Sequence, residues 1–184
     1  MTGRDPRLRS RLLIGAIAGI AGTIAMTSAM ARLHRRLPPA QRYPLPPREI
    51  VETVAAKAGA SLADETAKDA TTAAHFAYGA AAGAAIGAAT VRPGARGGAA
   101  AGVAIWMASY LGWIPGTSIL KPATLHPRGR NVLMIGAHVV WGLATARAMR
   151  ELVLARETML RSGSLLDRAQ RDRAKPGRAE NDGK

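Results

Sequence analysis

The sequence predicts an all-α fold: a four-helix transmembrane bundle with a short amphipathic surface helix and a disordered basic C-terminal tail. Three observations carry this expectation. Four apolar, charge-free runs follow one another, over 12–31, 70–91, 97–120 and 131–146. A helix needs about 20 apolar residues to cross a bilayer core; the runs of 20, 22 and 24 residues reach that length, and the last, of 16, is marginal. Charge is confined to the connectors and ends, and small residues recur every four positions in several runs, a spacing that lets membrane helices approach closely.

These runs divide the chain into a basic segment over 1–11, a membrane domain over 12–146 and a basic helix extension and tail over 150–184, with spans near 12–31, 70–91, 97–120 and 131–149. The net charge of +14 sits mostly at the ends, with Arg4, Arg7, Arg9 and Arg11 before the first run and ten basic residues after Ala146. Basic residues flanking apolar runs suit the anionic headgroups of a bilayer better than nucleic acid. With four spans both ends share a side holding 16 Lys and Arg against 10 on the other, which places both termini in the cytoplasm. Cys is absent, so thiolate metal sites, disulfides and Cys nucleophiles are excluded.

The first run, ending in Ala29-Met30-Ala31, shares features with a cleavable signal peptide, but its 20 residues exceed a signal core of about 7 to 15, and it is read as a retained span. His34, Arg35 and Arg36 then mark the interface. Pro38, Pro39, Pro44, Pro46 and Pro47 favour an extended segment. From Arg48 a surface helix is expected, with Ile50, Val51, Val54, Ala55 and Ala58 on one face. Ser61 stands three residues before Asp64, a weak capping box for the next helix. Asp64, Glu65 and Asp69 read as a solvated helix start, where acids oppose the positive dipole end; a carboxylate gate for cations is the sharper alternative.

The second run is 14 of 22 Ala or Gly, and His75, Gly79, Gly83 and Gly87 stand four apart on one slowly drifting face. Gly15 and Gly19 in the first run and Gly98 and Gly102 in the third repeat the spacing; with Gly142 these form the expected helix-packing set. The third run places Trp106, Tyr110 and Trp113 on one face, and Pro115-Gly116 marks an interface or kink. The following stretch, rich in Pro and Gly, reads as a surface turn.

A second regularity concerns function. Ala74-His75-Phe76-Ala77-Tyr78-Gly79-Ala80-Ala81 matches Ala137-His138-Val139-Val140-Trp141-Gly142-Leu143-Ala144 at an offset of 63. Two related helix hairpins would produce such a pattern. His75, Tyr78, His138 and Trp141 are therefore the intramembrane candidates, because an ionisable residue inside a span is costly and marks function by default. The imidazoles can hydrogen-bond across helices, line a path for protons or small solutes, or ligate haem. Neither span supplies a second close ligand, so no metal site, cofactor or catalytic residue is predicted, and haem stays an alternative. His34 and His126 fall near span ends.

Gly19-Ile20-Ala21-Gly22-Thr23, Arg36-Leu37-Pro38, Tyr43-Pro44-Leu45-Pro46-Pro47, His75-Phe76-Ala77-Tyr78-Gly79, Gly112-Trp113-Ile114-Pro115 and Ala137-His138-Val139-Val140-Trp141-Gly142 together resemble the YagU-like family of small bacterial inner-membrane proteins. The resemblance covers roughly 11–147 and implies a multi-pass protein of the bacterial cytoplasmic membrane with no assigned activity. Three function classes follow: a non-enzymatic structural, stress-related or partner-binding protein; a small channel or transporter using His75 and His138; and a haem-binding electron carrier. The expected partners are anionic lipid, a second copy of the chain or other membrane proteins.

Overall fold

The computed structural model describes residues 6–39, 42, 46–90 and 92–160, and among them every regular element is helical. In order these are α1 (Pro6–Arg36), α2 (Pro46–Lys57), α3 (Asp64–Ala89) and α4 (Ala95–Met107). A π-helical turn (Ala108–Trp113) prolongs α4, and a single turn, α5 (Ile114–Gly116), follows it. A 3₁₀ turn (Ala123–Leu125) precedes α6 (Arg128–Glu157). The chain divides into a compact unit over Met1–Val153 and a second over Leu154–Lys184. The described part of the second holds the end of α6 and a turn in which the Leu160 N–H donates to the Ala155 carbonyl at 3.0 Å. Arg4, residues 43–45, Val91 and the basic tail from 161 lie outside the described residues.

Among the described residues, three helical stretches are long and apolar enough to cross a membrane: Arg7–Arg36, Ala95–Gly116 and Arg128–Glu157. The marginal fourth run thus belongs to a 30-residue helix that begins at Arg128, ahead of the expected 131. The second run changes rank in the other direction. Its helix, α3, has 26 residues, but Ala and Gly side chains bring little hydrophobicity and Thr71, Thr72, His75 and Tyr78 subtract from it. Four apolar spans were expected, and three of the helices meet the requirement.

Three local expectations are corrected. Pro46 and Pro47 do not hold the chain extended; they open α2, where the missing N–H groups have no helical partner to lose. The Ser61 cap does not form, because Ala63 occupies the position before α3 and no side chain bonds the helix start. The Asp64 carboxylate instead meets Lys68 Nζ at 2.8 Å and Arg48 Nη2 at 2.9 Å. Lys68 first, then Arg48, holds that carboxyl below the usual carboxylate range. The third span ends at Gly116 and not at 120: Ser118 takes a positive φ of 55°, and the Ile119 N–H turns back to the Ile114 carbonyl at 3.1 Å.

The four long helices run up and down, each antiparallel to its packed neighbours. α1 buries Ile14, Ala18, Thr23, Met26 and Met30 at helical spacing and exposes Leu13, Ile17, Ile20 and Ile24 on the opposite side. Its buried stripe meets α3 through glycine: a Cβ on Gly19 would overlap the Gly79 carbonyl oxygen, and one on Gly83 the Gly15 carbonyl oxygen. α4 meets α6 in the same way, since a Cβ on Gly98 would run into the Gly142 carbonyl and one on Gly102 into the His138 carbonyl. Gly142 lies between Gly98 and Gly102 as Gly83 lies between Gly15 and Gly19, whereas Gly79, its counterpart at the offset of 63, meets Thr23 and Gly19. Ile14 and Ala18 of α1 pack with Met149 and Val153 of α6 at this end, and Arg11 donates from Nε to the Gly87 carbonyl at 3.1 Å and from Nη2 to the Ala88 carbonyl. A cation at the carbonyl end of α3 satisfies groups that the helix leaves unpaired.

Candidate functional site

Towards the other end the same helices part around a cavity of about 230 Å³. All four intramembrane candidates line it: His75 and Tyr78 from α3, His138 and Trp141 from α6. The π-helical turn adds Ser109, Tyr110 and Trp113, α1 adds Thr23 and Met26, and α2 closes one side with Pro47, Ile50 and Val51. Among the described residues that line it, none is Asp, Glu, Lys or Arg. The glycine stripe leads into this region, since Gly79, Gly83 and Gly87 seal α3 against α1 and His75 stands one turn further along.

Helix geometry explains the opening. Gly112 takes φ −112° and ψ −107°, outside the helical region, within the π-helical turn. Such turns are frequent at functional sites. Trp106 and Tyr110 stack with ring centroids 6.2 Å apart, and Tyr110 meets the His138 ring edge-on at 6.3 Å. These large rings hold apart helices that glycine brings together elsewhere.

Hydrogen bonds fix the state of several polar groups in the wall. The Ser109 hydroxyl donates to the Ile105 carbonyl at 2.8 Å, so it accepts from the Tyr78 hydroxyl at 2.7 Å. The Thr23 hydroxyl donates to the Gly19 carbonyl at 2.8 Å and accepts from Trp141 Nε1 at 3.3 Å. His138 Nδ1 lies 2.7 Å from the Met134 carbonyl, which only accepts; Nδ1 therefore carries the proton and Nε2 the lone pair. His75 Nε2 is buried with no hydrogen-bond partner. His138 and Trp141 are deeply buried, whereas Tyr78 is 42% and Trp113 44% exposed. Their rings lie 6.1 Å apart at the outer edge of the cavity.

The helix expected on the surface is turned inward at Ile50 and Val51, and polar contacts to three elements hold it there. Glu49 pairs with Arg130 at the start of α6, with side chains only 29% and 11% exposed. Arg48 reaches Glu52 and Asp64, and Lys57 Nζ donates to the Thr117 carbonyl at 2.9 Å. The hydrogen bonds to Glu52 and then Asp64 shift the Arg48 guanidinium up from its ordinary value.

Sequence reasoning missed Thr23 and Ser109, and it placed Tyr110 on an aromatic face with Trp106 and Trp113 without assigning it to a site. Its own signal for Tyr110 was the aromatic face before Gly112, and for Thr23 the Gly19–Thr23 spacing. Two imidazoles without an acid fall short of the three protein ligands of a catalytic zinc, and among the described residues no three of His, Asp or Glu come together to hold an ion. Comparison with known proteins returns no match among family models, curated proteins or solved structures.

Proposed function

We propose that this chain is a four-span integral membrane protein of the bacterial cytoplasmic membrane, related to the YagU-like family, with both ends in the cytoplasm. It acts without catalysis, by holding a small molecule in the cavity of its bundle. The observation that carries the binding role is the convergence of His75, Tyr78, His138 and Trp141 on one largely apolar cavity at a π-helical turn. Apolar cavities with a few converging polar groups are where ligands bind. The fourth span is α3. It is seamed lengthwise to α1 from Arg11–Gly87 to Thr23–Gly79. A helix packed along a crossing helix shares its depth, and its small residues are spent on backbone approach and not on lipid.

The test is to purify the full chain in nanodiscs formed from its own membrane and to extract it for mass spectrometry. A small molecule at one per chain, lost in Ala82→Leu, which fills the cavity from α3, is the expected result. An empty wild-type protein would contradict the reading. Insertion of a reporter after Ala89 and after Lys57 fixes the topology, and the two sites must report opposite sides. The placement of two imidazoles on one cavity favours a second reading, a conduit for protons or small solutes. Liposomes containing the chain would then leak protons, and His75→Ala/His138→Ala would stop the leak. A haem carrier would instead show a visible absorption band that the same double variant loses.

A further inference from the structure

We infer that the cavity takes up an uncharged aromatic hydroxyl compound of one or two rings, of the phenol or quinol class, from the bilayer. This deepens, and rests on, the reading of the cavity as a ligand site. Four features specify the class. The first is size: a cavity of about 150 Å³ holds benzene, so the ~230 Å³ here has room for two fused rings. The second is the wall, where Tyr110, Trp113 and Trp141 offer ring faces and edges for stacked or edge-on contact.

The third is charge. With no Asp, Glu, Lys or Arg among the described lining residues, an ionised ligand would find no counter-ion in that wall. The fourth is the state of the imidazoles. His138 gives its proton to the Met134 carbonyl, so Nε2 can only accept and calls for a donor on the ligand. His75 Nε2 is buried and unpartnered, so a ligand hydroxyl there would supply the hydrogen bond it lacks. The way in is lateral: the exposed rings of Tyr78 and Trp113 form the outer edge of the cavity, between α3 and the π-helical turn. A compound arriving by this side is one dissolved in lipid.

The probes are 1-naphthol and naphthalene, which differ by the hydroxyl. Binding to the full chain in nanodiscs is measured by equilibrium dialysis against empty nanodiscs, which removes bilayer partitioning. Both should bind saturably at one per chain, with 1-naphthol tighter by about fivefold to tenfold, the value of one buried neutral hydrogen bond. His138→Phe should bring the binding of 1-naphthol down to that of naphthalene measured on the same variant, and His138→Gln, which keeps an acceptor, should restore part of the difference. Equal binding of the two probes by the wild type overturns the ligand class and leaves the ligand site standing. No saturable binding of either overturns both. If His138→Phe fails to fold, the ratio of the two probes on the wild type still decides.

Discussion

The two ends of this bundle are built from the same four helices and solve opposite problems. At the end where α1 begins, glycine brings α1 against α3 and α4 against α6 backbone to backbone, while Ile14, Ala18, Met149 and Val153 fill the space between α1 and α6. At the other end those helices carry Tyr78, Tyr110, Trp113 and Trp141, with a π-helical turn in α4's continuation, and a cavity of about 230 Å³ opens. Thr23 stands at the boundary, its hydroxyl against Gly79 on one side and Trp141 on the other. The difference teaches that small residues set the helix axes at one end so that large residues can hold a fixed gap at the other.

The comparison breaks most sharply at the closed end. Gly19→Leu places a side chain on the Gly79 carbonyl, which cannot move without shifting α3. A loss of about 3 kcal/mol is expected, the upper range for overpacking a tight contact, seen as a lower Tm by circular dichroism in detergent. Gly97→Ala and Gly136→Ala are the controls: a Cβ meets nothing within 4 Å at either position, and Tm should hold or rise. Equal damage from all three would mean that the glycines act through chain flexibility and not through close contact.

The next effect concerns the cover of the open end. Glu49→Gln leaves the poorly exposed Arg130 guanidinium with a weaker partner. A loss of about 2 kcal/mol is expected for a charged hydrogen bond. Hydrogen exchange should rise over residues 46–57 and stay unchanged in the glycine-sealed half. Tyr78→Phe removes one 2.7 Å hydrogen bond to Ser109 and should lower stability by about 1 kcal/mol while loosening the edge of the cavity. The smallest effect is that of acid. Asp64 titrates below its ordinary range in the folded chain, so its contribution is present above the usual carboxylate range and fades as pH falls through the lowered value. Exchange over 46–57 should increase there in the wild type, and Asp64→Asn should show that increase already at neutral pH.

Much of this architecture is legible in the sequence, and for identifiable reasons. Glycines four apart declare a seam because nothing else gains from that spacing, and the matched His, aromatic and Gly triplets at an offset of 63 pick out four residues that the fold brings to one cavity. Other features depend on neighbours far along the chain. The inward turn of α2 is set by Arg130, 81 positions from Glu49, and by Asp64 and Thr117. The π-helical turn depends on backbone torsions at Gly112 that composition does not specify. Pro46 and Pro47 were misread because proline both breaks helices and starts them, and only the position relative to the helix distinguishes the two. The rank of the spans depends on side-chain size as well as length: α3 is long enough, but its Ala and Gly side chains add little hydrophobicity.

The central claim is that one half of the bundle admits a small apolar molecule and tight packing elsewhere does not, and the chain's three tryptophans allow a direct test. Trp141 and Trp106 are almost equally buried, at 3% and 8% exposure, but only Trp141 lines the cavity. Forms keeping one of these, with the other two tryptophans changed to Phe, are placed in nanodiscs and titrated with bromobenzene, a contact quencher. Trp141 emission should fall along a saturable curve while Trp106 emission should not. Equal quenching of both in proportion to bromobenzene in the bilayer, or quenching of neither, would contradict it.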